Sequence, residues 1–346
     1  MINSTSISIS PFGTVNGKSV ELYSLTNSQG TQVKLCTYGG TITSWTIRQS
    51  DGSDLPIILG FDSLEEYLSQ TFYLGATIGR YANLIAEASF ELEGSTYKLS
   101  RNHRNHHLHG GANGFDKKIW DATIIANNPP TITLSKMSRH LEEGYPGNLE
   151  VDITFQLTND NELIISYRCQ TDRPTPVNLT NHMYFNLNGD FENDITNHSL
   201  MINSDLITPS HNGITTGELL DVTGTPFDFR TTSHLAPGIK ALGGYNHNFL
   251  LNKAPTGQLN PAAVLSSANG SRLLKVNTTE PALQFYTGNS LSGDFRDRSG
   301  AAIRKFHGLC LETQKTPNSP NHSHFPSTIL HPGEVYSYTT SYKISI

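Results

Sequence analysis

Four short segments hold residue types able to move protons. NLTNHMYFNLNG (178–189) sets His182 in a row of amides and hydroxyls. GLCLETQ (308–314) carries one carboxylate, Glu312, beyond Leu309 and Leu311. HHLHGG (106–111) offers His107 and His109, and PALQFYTGN (281–289) offers Gln284. Histidine and carboxylate are the usual partners of general acid–base chemistry. The amides around them suit a ligand covered in hydroxyls.

The elements that must position these groups read as strands. Side chains alternate across a strand with period two. In the first segment Val177, Leu179, Met183, Phe185 and Leu187 fall on one face. Asn178, Thr180, His182, Tyr184 and Asn186 fall on the other. Gln284 and Tyr286 oppose Leu283 and Phe285; Cys310, Glu312 and Gln314 oppose Leu309 and Leu311; His107 and His109 share a face opposite Leu108. Each segment pairs a core-like face with groups that are costly to bury unpaired. Convergence of these faces predicts a polar cleft with the His182 row as one wall. Taken singly, each residue also fits a structural role: a satisfied strand histidine, an exposed glutamate, a glycine bulge.

The same alternation runs through the chain. LEVDITFQL (149–157) and YSYTTSYKISI (336–346) read as long strands, and SFELEGSTYKLS as a hairpin around Glu93-Gly94. SLEEYLSQ (63–70) is the one helix expected, a short one. The 29 glycines and 17 prolines fall between such runs. The expected fold is all-β, a large antiparallel sandwich or barrel, with residues 1–346 forming one domain. No fixed-period repeat suggests a propeller.

Composition narrows the function classes. Net charge is −6, and no lysine or arginine cluster is present, which speaks against nucleic acid. No apolar run reaches the roughly 18–20 residues a membrane span needs. The polar start MINSTSISISPFG lacks the pattern of a secretory signal. Three cysteines, Cys36, Cys169 and Cys310, stand far apart without a CxxC, which suits a reducing cytoplasm. His107-x-His109 invites a metal-barrel reading, but no glutamate follows at cupin-like spacing, so no metal is expected.

GATIGRYANLIAEASFELEG, LHGGANGFDKKIW, EEGYPGNL, TPVNLTNHMYFNLNG, GTPFDFR, EPALQFYTGN and GLCLETQ…HPGEVYSYTTSYK closely resemble, in this order, the signature segments of the aldose 1-epimerases (galactose mutarotases). The resemblance covers roughly residues 10–345. It implies a single large β-sandwich of the galactose mutarotase-like type. It also implies interconversion of α and β anomers of a free aldose, with no cofactor. Glu312 is then the base at the C1 hydroxyl and His182 the acid at the ring oxygen. His109 assists there, Gln284 and Asn83 contact hydroxyls, and Tyr184 belongs to the same wall. An ionised Glu312 beside a protonated His182 implies a bell-shaped profile varying across pH 5–8.

Two positions depart from the family pattern. Leu84 stands where the family reads arginine (NRI), and Asn246 where it reads aspartate (DHN). Both missing residues normally contact the sugar, so a shifted sugar preference is expected, with Arg80 as a possible substitute donor. SRHL (138–141) replaces the family's SPDG before EEGYPG. The rival readings are a non-catalytic carbohydrate-binding homologue, an isomerase of another cyclic hemiacetal or carbonyl compound, and a metal-dependent barrel using His107 and His109. The expected partner is a small sugar, and the expected state is a cytoplasmic monomer or homodimer.

Overall fold

The computed structural model describes residues 5–211, 213–252 and 257–346. The first four residues of the polar N-terminus thus lie outside the described residues. Alternating sequence becomes alternating burial. In the strand Leu149–Leu157, Leu149, Val151, Ile153, Phe155 and Leu157 are all buried, and the residues between them are not. That strand belongs to a nine-stranded antiparallel sheet. The C-terminal strand Tyr336–Ser345 is an interior member, paired on one side with Glu162–Thr171 and on the other with Leu273–Thr278.

Two five-stranded sheets complete the main architecture. One is a meander from Ser6–Val15 to Asp54–Pro56. The other runs Leu220–Asp221, Ser204–Thr208, Asn246–Leu251, Ala282–Tyr286, Cys310–Gln314. One hydrophobic cluster joins all three sheets, taking Trp45, Phe155, Leu274, Phe249 and Phe285 among others. Core packing therefore fixes one face of the third sheet. Its other face is left to carry the polar residues.

The hairpin around Glu93-Gly94 forms as expected, with Ser89–Leu92 paired to Ser95–Lys98 and both turn residues at positive φ (50° and 73°). SLEEYLSQ becomes the helix Leu64–Ser69, capped by Ser63, which accepts from the Glu66 amide. A second helix, Leu235–Leu242, was not expected. It is only two turns long and holds Pro237 and Gly238, so its apolar period is too short to read. Gly243 closes it at φ 75°.

Candidate active site

The third sheet arranges its polar residues by register. Thr208, Asn248, Gln284 and Glu312 lie directly opposite one another on four neighbouring strands. Two residues along, Asn246, Tyr286 and Cys310 form a second row. Between them Phe285 and Leu311 point into the core. All of these except Cys310 floor a cleft of about 380 Å³ that is also lined by Asn83, Leu84, His109, His182 and Tyr184.

Hydrogen bonds within the floor use up some groups and leave others. Asn248 donates to Thr208 Oγ1 (3.1 Å), and Gln284 donates to Asn246 Oδ1 (2.7 Å). Asn248 Oδ1, Gln284 Oε1 and Glu312 Oε2 are buried and have no hydrogen-bond partner among the described residues. Three adjacent strands thus present three acceptor oxygens in need of donors.

Two histidines close over this row. His182 follows the short strand Thr180–Asn181, and its backbone bonds to Ala76 and Gly75 fix it in place. Its Nε2 lies 3.8 Å from Glu312 Oε1 and its Nδ1 3.4 Å from Cys310 Sγ. His109 sits at φ 52°, its ring 5.4 Å from that of His182. The Asn83 amide donates to His109 Nδ1 (3.2 Å). In neutral His109 the ring hydrogen is therefore on Nε2, as a donor. Asn83, at φ 64°, accepts from the Leu84 amide through its own Oδ1. Tyr184 packs 5.0 Å from the His182 ring and donates to Phe72 O.

Burial sets the charges. It pushes Glu312 up to about 8 and His182 down to about 4. His109 is held well below its usual value, by burial first and then by His182. At 3.8 Å opposite charges attract, but both groups are desolvated, and in the free protein burial prevails. Burial thus favours the neutral pair, protonated Glu312 beside uncharged His182, over the ion pair. This moves the acid limb of the expected pH profile below pH 5 and the alkaline limb to near pH 8.

Comparison with known proteins gives the family and the fold. The aldose 1-epimerase family model matches residues 21–343. The chain is 41% identical to galactose mutarotase of Sus scrofa, over 94% of each chain. It is 41% identical to aldose 1-epimerase of Escherichia coli K12, over 95% of this chain and 96% of that one. Galactose 1-epimerase from Lactobacillus acidophilus superposes with a TM-score of 0.87 at 28% identity, over 99% of each chain. The chain belongs to the aldose 1-epimerase family. It is an isomerase that interconverts the α and β anomers of a free aldose.

Several sequence expectations about this epimerase need correction. The row 178–186 is not one wall: only His182 and Tyr184 line the cleft. Asn178 instead bonds Ala82 O and the Lys315 backbone, and Asn186 bonds Asn193 O and His307 O. Ladder pairing there is confined to Thr180–Asn181, with only isolated bridges at Asn178 and Phe185. His107 and His109 do not share a face. The strand ends at Leu108, and the left-handed turn at His109 separates them. His107 is buried against Tyr145 Oη (2.7 Å) and Ser100 O (2.7 Å). Arg80 is not a substitute donor; it is buried outside the cleft and bonds Pro146 O, Gly147 O, Ser138 and Arg139 O.

Potential ligand atoms of His109, His182 and Glu312 do lie within 4.8 Å of one another. The donor set does not suit a cation, however. A metal at His109 Nε2 would move the ring hydrogen to Nδ1, against the Asn83 amide. Among the epimerase's other cleft residues, Asn248, Thr208 and Tyr73 were not singled out in the sequence. Asn248 carried a signal, since it alternates with Asn246 on one strand face.

Proposed function

We propose that Glu312 and His182 are the base and acid of this epimerase. Glu312 removes the proton of the C1 hydroxyl while His182 delivers one to the ring oxygen. The C1–ring oxygen bond breaks as the C1 carbonyl forms, and the open chain rotates about C1–C2. Reclosure on the other carbonyl face returns both protons. One proton leaves and one arrives in each direction, so no cofactor is required. Because the free pair keeps its proton on Glu312, the sugar must help shift it to His182. Hydroxyls donating to the Glu312 carboxylate favour its ionised form.

The observation that carries this reading is the acceptor row of Asn248, Gln284 and Glu312 beside His182. Gln284, Asn248, Asn246 and Asn83 receive or donate to hydroxyls, and His109 donates through Nε2. The substrate is a glucose- or galactose-like aldose. Leu84 pairs with Leu108, both line the cleft, and among the described lining residues there is no lysine or arginine. This apolar patch supports a preference for a sugar lacking a hydroxyl at that point. Three buried free cysteines support a cytoplasmic protein, and the core shared by all three sheets supports a single domain, acting as monomer or homodimer.

Polarimetry on freshly dissolved α-D-glucose and α-D-galactose tests the reading, comparing wild type with Glu312→Gln. Wild type accelerates mutarotation, and the variant loses about 100- to 10,000-fold in kcat. Saturable sugar binding with no anomer exchange by wild type would instead identify a non-catalytic binding homologue.

A further inference from the structure

The EEGYPG segment contributes no residue to the cleft, yet two of its side chains grip the chain on either side of His109. Glu143, in the turn Glu142–Gly144, sits at φ 52°. Its Oε2 accepts from the Ala112 amide (3.0 Å) and from the Ser100 hydroxyl, and its Oε1 accepts from the Asn113 amide (3.0 Å). These amides follow a run of three left-handed residues: His109, Gly110 (φ 85°) and Gly111 (φ 102°). The loop is threaded tightly. A Cβ on Gly111 would lie 2.1 Å from Glu143 Oε2, and one on Gly110 would lie 1.7 Å from Gly79 O. On the other side, Tyr145 Oη holds His107 Nε2 (2.7 Å), and the second nitrogen of His107 meets Ser100 O. His109 itself is steadied mainly by the Asn83 backbone, through its own amide (3.1 Å) and through Nδ1.

We propose that Glu143 and Tyr145 are positioning residues that set the aim of His109. A left-handed stretch with two glycines has little intrinsic stiffness. A carboxylate accepting three donors supplies that stiffness, because charged hydrogen bonds are the stronger ones. The Asn83 amide bond that makes His109 a donor at Nε2 then depends on the clamp. A misplacement near 1 Å can cost about 100-fold in rate. The proposal rests on His109 serving the sugar, as read above.

A double-mutant cycle in the full-length protein separates positioning from folding. Glu143→Gln keeps the shape but turns an NH2 toward an amide donor. Its kcat/KM on the better-used aldose should fall at least about tenfold. In a His109→Ala background the same change should lower it less than about twofold. Equal falls in both backgrounds, or no fall in either, would overturn the proposal. If Glu143→Gln does not fold, Tyr145→Phe runs the same cycle with only one hydroxyl removed and an expected loss of about threefold. Imidazole nitrogen NMR gives a readout independent of activity. His109 should be the Nε2–H tautomer in wild type and a mixture of tautomers in Glu143→Gln; an unchanged tautomer would sink the idea. A His109→Ala variant with full activity would instead overturn the role given to His109.

Discussion

Glu312 and His182 are pushed away from their ordinary protonation states because both are buried and neither has a cationic partner among the described residues. With Glu312 raised to about 8 and His182 lowered to about 4, the pair binds two protons below about pH 4 and none above about pH 8. Between these limits it binds one, and the two apparent values belong to the pair rather than to either residue. The enzyme's own kcat/KM should therefore be nearly flat from pH 5 to 7, falling on the acid side near 4 and on the alkaline side near 8. Polarimetric rates corrected for spontaneous mutarotation measure this; a narrow optimum inside pH 5–8 would mean that burial does not govern the pair. Leu84 and Asn246 pose a separate question of specificity. Each lost charged hydrogen bond to a ligand is worth about 1.5–3 kcal/mol. Leu84→Arg with Asn246→Asp should raise kcat/KM on galactose by roughly tenfold or more. No gain would show that the present sugar preference has another origin.

At the scale of elements, the cleft depends on a buried cation that never enters it. Arg80 is 2% exposed and its guanidinium bonds four backbone carbonyls and two hydroxyls, from Ser138, Arg139, Pro146, Gly147 and Thr175. These contacts join the GR segment to the end of the strand Pro130–Ser138 and to the EEGYPG turn. Burial lowers Arg80 to about 10, still charged at neutral pH. Arg80→Ala would leave several carbonyls unpaired in a dry interior. It should cost on the order of 4 kcal/mol of stability, read as a loss in denaturant midpoint. A loss below about 1 kcal/mol would mean that other donors or water replace the guanidinium. The segment GATIGRYANL thus serves both fold and site, with Arg80 facing the scaffold and Asn83 and Leu84 facing the cleft.

For the whole molecule, the dominant fact is one apolar cluster with members from Tyr23 to Ile344. It includes residues of the nine-stranded sheet and of both five-stranded sheets. Secondary structure and the cleft should therefore be lost together on heating. A single thermal transition, seen alike by far-UV circular dichroism and by residual activity, is the expected outcome. Two separated transitions would divide the chain into independent units. No helix among the described residues is long and apolar enough to cross a membrane.

The sequence alone determined the strands, because period-two alternation is local; it survives in LEVDITFQL as alternating burial, whereas the interior strand Tyr336–Ser345 also buries Ser341 between Thr340 and Tyr342. It also exposed Glu312, His182 and Gln284, since polar groups on otherwise apolar strands stand out against their neighbours. Only the tertiary structure decided which polar faces meet. Asn178, Asn186 and His107 carry the same local signal as His182, yet long-range backbone partners take the two asparagines into the scaffold, and Tyr145 Oη with Ser100 O takes His107. The protonation order of the acid–base pair was equally out of reach. It depends on how completely the surrounding chain excludes water from Glu312 and His182, and residues from Ala76 to Glu312 have to be assembled before that is fixed.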